Sequence, residues 1–339
     1  MEKINKFYQG DALDILKQMP DNFINCCVTS PPYFNLRDYD NDQQIGLENT
    51  PEEYDEKLML IFREIKRILK SNGTLWLNIA DSYGGSYKEK GDNSTLLQTT
   101  NQGSKNKINL KTFKSEFIKS KDLIGIPWMV AFALRADGWY LRQDIIWNKP
   151  NPMPESVKDR CTKSHEYIFL LSKSNKYYYD FEAIKTPLKK ESEVRLAQDI
   201  KNQEGSFVPG KTNGKMKAVC GGKKMLEKNK TESDPMFRKN TNREYTPNQD
   251  LKANKKSVWT NATENSGVKH FATFPQKLIN DCIKAGCPEN GLVLDPFMGT
   301  GTTAIVARKQ YKNFIGIELN EEYIKFAENR LLKELGLFV

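Results

Sequence analysis

The segment Leu292-Val293-Leu294-Asp295-Pro296-Phe297-Met298-Gly299-Thr300-Gly301, with Glu318 beyond it, has a residue spacing that could do chemistry. The apolar run Leu292 to Asp295 reads as a strand, and the residues from Thr302 read as a helix. Between them Gly299 and Gly301 form a turn where a ligand can approach the backbone. Glu318 follows Gly299 by nineteen residues and closes a second apolar run that starts at Asn313. A carboxylate in that place can accept both hydroxyls of a ribose. The simplest alternative is a plain tight turn followed by a solvated glutamate. A dinucleotide site is the specific rival, since Gly299, Gly301 and Ala304 fit GxGxxA with an acid at nearly the expected distance. Two features oppose it. The fingerprint lies near the C-terminal end, with one strand and one helix after it, and Phe297 sets a bulky ring beside the ligand. An adenosine cofactor without pyrophosphate fits better.

A second cluster, Thr29-Ser30-Pro31-Pro32-Tyr33, ends an earlier apolar run. Alone it reads equally well as a rigid loop or a polyproline ligand. Taken with DPFMGTGTT it resembles the amino-methyltransferases, whose catalytic motif is (D/N/S)PP(Y/F). The catalytic motif comes first and the cofactor motif last, with a basic stretch between. That order resembles the β group of S-adenosylmethionine-dependent DNA amino-methyltransferases, and the resemblance covers nearly the whole chain. It implies catalytic roles for Ser30, Pro31, Pro32 and Tyr33. It implies that S-adenosyl-L-methionine is held by Asp11, Thr29, Phe274, Pro275, Asp295, Pro296, Phe297, Gly299, Gly301, Thr302, Thr303 and Glu318. Trp147-Asn148-Lys149-Pro150-Asn151 is similar to the family's loop after the catalytic region, although a turn closing a strand accounts for it as well.

The implied reaction suits these residue types. An exocyclic base amine is a weak nucleophile because its lone pair is delocalised into the ring. An acceptor at Ser30 and the Pro31 carbonyl can hold the two amine hydrogens and favour a more tetrahedral nitrogen. Pro32 lacks an N–H, so the paired prolines stiffen the turn. Tyr33 offers a face on which an extruded base can stack. Serine at the first motif position resembles the cytosine-N4 enzymes, whereas aspartate there resembles mostly adenine-N6 enzymes. Cytosine N4 is therefore the expected target, with adenine N6 as the alternative. A covalent cytosine-C5 mechanism needs a Pro-Cys nucleophile, and here Cys287-Pro288 has the reverse order. RNA amine methylation shares the chemistry. A nicotinamide oxidoreductase leaves TSPPY unexplained, and a silent DNA-binding protein does not require an intact Ser30 and Tyr33.

Alternating strands and helices are needed to carry these motifs. Strands are expected at Asn25 to Thr29, Thr74 to Ala80, Trp139 to Trp147, Glu166 to Ser172, Leu292 to Asp295 and Asn313 to Glu318. His165-Glu166 at the start of one of them reads as structural. Thr50, Pro51 and Glu53 announce a helix that Gly73 should stop. Further helices are expected near Leu123 to Arg135, Pro275 to Ala285, from Thr302, and after Asn320. The pattern predicts an α/β, Rossmann-like methyltransferase fold: a mostly parallel twisted sheet with helices on both faces. Residues 1–184 would form its catalytic part, with a mobile loop over 82–121, and 261–339 its cofactor part. Residues 185–260 would be a basic target-recognition insert.

Charge supports a polyanionic partner. The chain of 339 residues carries +9, and Phe181 to Thr260 holds 18 Lys and Arg against 10 Asp and Glu. Basic side chains gain by displacing counterions from phosphates, which fits double-stranded DNA, although a lysine-rich solvated surface would look the same. Lys149, Asn151, Lys189, Lys190, Lys223, Lys224, Arg238, Lys239 and Arg243 are the candidate DNA contacts. A companion restriction endonuclease is consistent with the family, and both monomer and homodimer remain open. Two histidines without clustered ligands argue against a metal site. Six cysteines without a CxxC pair read as reduced thiols, and no apolar export segment or membrane span is legible. The expected location is cytoplasmic.

Overall fold

Local sequence sets the boundaries of most elements. The computed structural model describes residues 4–36, 44–84, 117–191, 252–264 and 274–336. Strand β1 (Lys6–Gln9) and helix α1 (Ala12–Lys17) come first, and the Asp11 carboxylate caps α1 by accepting from Asp14 N at 3.0 Å. Strand β2 (Ile24–Thr29) follows. Helix α2 (Pro51–Ile68) starts as expected: Thr50 Oγ1 accepts from Glu53 N, while Glu53 reaches back to Asn49 N. It ends at Ile68, because β3 (Leu69–Ile79) begins immediately.

Gly73 is thus a residue of β3 and not a helix stop. The register of β2 against β3 shifts between Ile24 and Cys26, beside Gly73. A Cβ at Gly73 would lie 3.1 Å from Asn25 O and 2.6 Å from Leu69 Cδ2, so its missing side chain permits the close approach. Helix α3 (Ile126–Ala136) starts three residues later than the apolar run suggests. Gly125, at φ +87°, precedes it, and Asp81 accepts from the N–H groups of Gly125 and Ile126.

The remaining elements of the sheet region are β4 (Tyr140–Asn148) and β5 (His165–Ser172). A short pair, β6 (Thr186–Pro187) with β7 (Lys252–Ala253), belongs to a separate compact unit, Lys185–Lys255. Then come β8 (Val258–Thr260), α4 (Gln276–Gly286), β9 (Leu292–Asp295), α5 (Thr302–Lys309), β10 (Asn313–Glu318) and α6 (Glu321–Leu335). These last elements fold with residues 1–184 as one unit. Of the candidate DNA contacts, Lys223, Lys224, Arg238, Lys239 and Arg243 lie outside the described residues, as does most of the stretch 82–121.

The sheet order is β1-β10-β9-β2-β3-β5-β4-β8. The first five strands run parallel, β5 is antiparallel to both β3 and β4, and β8 pairs parallel with β4 at the edge. The fold is therefore the Rossmann-like, mostly parallel sheet that the sequence predicts. Strand alternation divides the core into two layers. Cys27, Leu75 and Phe169 face α1, α2 and α3, where Leu16, Leu58 and Leu134 are fully buried. Cys26, Val28 and Trp76 face α4, α5 and α6, with Leu278 and Ile305. Among the described residues no helix is long and apolar enough to cross a membrane.

Gly286 shows how closely α4 sits on the sheet. A Cβ there would lie 2.3 Å from Trp76 Nε1 and 2.7 Å from Thr74 Oγ1, and Thr74 Oγ1 already donates to Gly286 O. Gly286→Ala should therefore cost about 1–3 kcal/mol by overpacking. Urea unfolding would show it as a lower midpoint with an unchanged slope, and an unchanged midpoint would refute this account of the contact.

Candidate active site

The strand order places one crevice where the chemistry-bearing residues meet. From β9 the chain passes through α5 to β10, outward in one direction; from β2 it passes through α2 to β3, outward in the other. The carboxyl ends of β9 and β2 thus flank a topological switch point, the usual ligand crevice of an open α/β sheet. Asp295 ends β9, Thr29 ends β2, and their side chains bond to each other. Asp295 Oδ1 accepts from Thr29 Oγ1 at 2.7 Å and from Phe297 N at 3.1 Å, and Oδ2 accepts from Thr303 Oγ1 at 2.6 Å. Burial nevertheless outweighs these donors and pushes the Asp295 carboxyl up to about 6, with the Glu318 charge adding to the rise.

Gly299 and Gly301 form the turn between β9 and α5, at φ +53° and +80°. A Cβ at Gly301 would meet Ala327 Cβ at 2.8 Å, so this glycine serves both the left-handed turn and the packing of α6. Glu318 braces the same turn: Oε2 accepts from Gly299 N and Oε1 from Asn320 N, each at 2.9 Å. Burial raises the Glu318 pKa against the pull of those backbone donors. Pro296 is buried and Phe297 half-buried beside them.

The structure therefore gathers Thr29, Asp295, Pro296, Phe297, Gly299, Gly301, Thr303 and Glu318. Asp11 follows β1, the neighbour of β10, where Gly10 N donates to Glu318 O. Three others are engaged elsewhere. Thr302 Oγ1 accepts from Arg330 Nη1, Phe274 is packed in the core layer of α4, and Pro275 precedes α4.

Ser30 to Tyr33 leave the end of β2 on the other side of the crevice. Pro31 is buried, and the Pro32 carbonyl accepts from Tyr54 Oη at 2.9 Å, which ties the turn to α2. Gly46, at φ +107°, lies so close that a Cβ would be 2.9 Å from Tyr33 O. Tyr33 Oη lies 2.7 Å from Glu166 Oε2, 3.2 Å from Asn78 Oδ1 and 3.2 Å from Ser30 Oγ. Asn78 Nδ2 donates to Glu166 Oε2 and to Tyr167 O.

Lys149, a candidate DNA contact, instead forms an ion pair with Glu166 and lies 4.3 Å from the Trp147 ring centroid. Asn151 bonds Thr263 through both its amide nitrogen and its oxygen. Lys189 and Lys190 are exposed on the second unit. Sequence reasoning missed Asn78 and treated Glu166 as structural. The sole signal was an isolated polar residue in an apolar strand, which no local pattern connects to Tyr33.

A parallel sheet with two polar loops at its switch point, one glycine-rich and one SPPY, defines a nucleotide-cofactor enzyme of methyltransferase architecture. Residues 24–329 match the family model described as DNA methylase, the N6/N4 methyltransferase family. The Type II methyltransferase M.Cfr9I of Citrobacter freundii is 40% identical over 327 residues, covering 96% of this chain and 87% of that protein. The Type II methyltransferase M.SmaI of Serratia marcescens is 40% identical over 334 residues, covering 97% and 91%. Among solved structures, the PvuII DNA methyltransferase (cytosine-N4-specific) superposes with a TM-score of 0.58 at 16% identity, covering 97% of this chain and 90% of that one. At that identity the likeness concerns the fold. The chain belongs to the S-adenosylmethionine-dependent DNA amino-methyltransferases.

The buried Asp295 makes stability depend on pH. Its carboxyl titrates near 3.8 when exposed and near 6 in the fold, so the folded state binds more protons between those values. The stability contributed by the neutral carboxyl is complete below pH 3.8 and is lost as pH rises through 6. Asp295→Asn removes this dependence. Between pH 4 and pH 7 the stability of the native protein should fall relative to the variant by about 2 kcal/mol. Denaturant melts at the two pH values measure it, and an equal difference at both would contradict the assignment.

Proposed function

We propose that this chain transfers a methyl group to N4 of a cytosine extruded from double-stranded DNA, as the modification half of a restriction–modification pair. Serine at position 30 is the observation that carries the choice of base; adenine N6 is the alternative. Ser30 and Tyr33 share one hydrogen-bonded network at the mouth of the crevice, on the opposite side from the Glu318 turn. The names of the relatives, Type II methyltransferases, support a companion endonuclease. The basic region 185–255, shorter than the sequence suggests because Val258–Thr260 joins the sheet as β8, is the natural reader of the target sequence, since it lies between the two motifs and carries nearly all of the net charge.

The cofactor cluster fits S-adenosylmethionine by its chemistry. It holds two carboxylates, a half-buried aromatic ring and glycine backbone, with neither Lys nor Arg among Thr29, Asp295, Phe297, Gly299, Gly301, Thr303 and Glu318. A pyrophosphate would meet negative charge there; a ribose, an adenine and a sulfonium would not be repelled. When bound, S-adenosylmethionine supplies a methyl group on an electron-poor sulfur.

The chain's residues do the rest. The carboxylate of Glu318 is oriented by Gly299 N and Asn320 N so that its remaining lone pairs can accept the ribose hydroxyls. Phe297 flanks the ligand. Ser30 and the Pro31 carbonyl accept the two amine hydrogens, which withdraws the lone pair from the ring and turns it toward the methyl. A methyl group given up by a bound sulfonium would leave its bonding pair on sulfur, and the methylated nitrogen would release its extra proton to solvent water. Tyr33 offers its face to the extruded base, whose amine would otherwise lie inside the duplex.

Two outcomes follow. Glu318→Ala should weaken S-adenosylmethionine binding about 30- to 150-fold, the loss of a charge-assisted bidentate contact. Calorimetry reads it, and unchanged affinity or saturable NAD binding would remove the cofactor assignment. For the base, labelled methyl transfer followed by chromatography of the digested nucleosides should place label in N4-methyl-2′-deoxycytidine, and Ser30→Ala should lower turnover more than cofactor affinity. Label in N6-methyl-2′-deoxyadenosine alone would overturn the base and keep the mechanism; label in 5-methyl-2′-deoxycytidine would overturn both.

A further inference from the structure

Glu166 stands behind the proposed catalytic turn with a set of partners that the family motif does not include. It is the second residue of β5, and the antiparallel pairing of β5 with β3 and β4 brings it between Asn78 and Lys149. The side chain is almost wholly buried. Its Oε1 is paired with the Lys149 ammonium, and its Oε2 accepts from Asn78 Nδ2 at 3.2 Å and lies 2.7 Å from Tyr33 Oη.

Hydrogen counting settles the direction of every bond in this group. The Asn78 amide nitrogen faces two acceptors, Glu166 Oε2 and Tyr167 O, which leaves Asn78 Oδ1 facing Tyr33. Tyr33 Oη therefore sits against two acceptors and owns one hydrogen, which goes to the charged and nearer one. Having no second hydrogen, Tyr33 can only accept from Ser30. Ser30 then spends its own hydrogen on Tyr33 Oη, 3.2 Å away, and presents lone pairs to the crevice.

We infer that Glu166 is a positioning residue that sets the polarity of the Ser30–Tyr33 hydroxyl chain and so makes Ser30 an obligate hydrogen-bond acceptor. This rests on the reading of Ser30 as a partner of the target amine. The consequence is selectivity at the reacting group. A base with an exocyclic amine can donate to Ser30. A base with a carbonyl at the same place, uracil against cytosine or hypoxanthine against adenine, meets lone pair with lone pair. The Lys149 ammonium holds the carboxylate at one oxygen and leaves the other to direct the chain. Lys149 thereby acts on the reaction through Glu166, with no need to touch phosphate.

Glu166→Gln tests this, because an amide that turns its nitrogen toward Tyr33 donates to the hydroxyl and leaves Asn78 Oδ1 and Ser30 to compete for the Tyr33 hydrogen, so that Ser30 is no longer held as an acceptor while the shape is kept. Single-turnover methyl transfer should slow about 10- to 100-fold, the loss of one charge-assisted hydrogen bond. Affinity for S-adenosylmethionine should stay as in the native protein, while the melting temperature falls because the Lys149 ammonium loses its charged partner. Tyr33→Phe removes the hydroxyl that links Ser30 to Glu166 and should show a similar loss. The double variant should be no slower than Tyr33→Phe alone, because the path is already cut.

Independent, multiplicative losses in the double variant would mean that Glu166 supports the fold or Lys149 and not the hydroxyl chain, and would overturn the inference. A Glu166→Gln enzyme as fast as the native one would do the same. Should Glu166→Gln fail to fold, Tyr33→Phe decides by itself, since a native rate without that hydroxyl leaves no chain for Glu166 to direct. A native protein that methylates no exocyclic amine would instead refute the function proposed above and is read from the labelled nucleosides before any variant is made.

Discussion

The bond from Thr29 to Asp295 is the constraint on which the site depends. The two residues are 266 positions apart, and the backbone ladder between their strands is short: Cys26 pairs with Val293 and Cys27 with Leu294. Beyond those pairs β2 and β9 diverge into their loops, and side chains take over the connection. Asp295 holds β2 through Thr29, its own loop through Phe297 N, and α5 through Thr303. One carboxylate thus fixes the distance between the glycine turn and the SPPY turn. An apolar residue could fill the space but could not orient three donors. The elevated pKa of Asp295 is the energetic consequence of doing so in a buried position.

The two sides of the crevice are braced differently, in keeping with what each is proposed to hold. On the cofactor side Glu318 and Asp295 bond chiefly to backbone N–H groups and to hydroxyls of neighbouring elements, so the turn is rigid and carries no net positive charge. On the catalytic side the groups are hydroxyls, an amide and an ion pair drawn from four strands or loops. Backbone donors have a fixed direction, whereas hydroxyls take theirs from their neighbours. The catalytic polarity is therefore a property of the network and not of Ser30 alone.

How much could be read in the sequence depended on whether the signal was local. The capping group of Thr50 and Glu53, the helical repeat after it, and the strand–turn–helix around Gly299 were all legible, because each is complete within a few residues. Strand β1 and helix α1 were not, since four and six residues are too few for a period to emerge. Gly73 misled because a glycine after a helical run usually ends it; here the strand had already begun, and the glycine serves a close strand approach that requires knowing what lies across it. Trp259 gave no sign of its place, because β8 is three residues long and is defined by its pairing with β4. Of the site, the motif residues were recognisable by resemblance. Asn78 and Glu166, the partner of Lys149, were not, since 88 residues separate Asn78 from Glu166 and only antiparallel pairing unites them.

The charge balance of this pairing agrees with the chemistry proposed for the crevice. Methyl transfer moves positive charge from the sulfonium toward the amine nitrogen, so the long-range field of an isolated carboxylate would act on both ends at once, on the starting cation as well as on the product. Acceptors for the amine hydrogens are still required, because charge builds on the nitrogen as the bond forms. Glu166 satisfies both demands by being paired. Lys149 cancels its net charge at a distance, while the free side of the carboxylate still commands the hydroxyl chain over one hydrogen-bond length. An unpaired acid at position 166 would orient Ser30 equally well but would add a long-range field. A neutral amide would lack the field but would lose the orientation. The ion pair resolves the conflict, because its dipole decays with distance faster than a lone charge and its local acceptor strength remains.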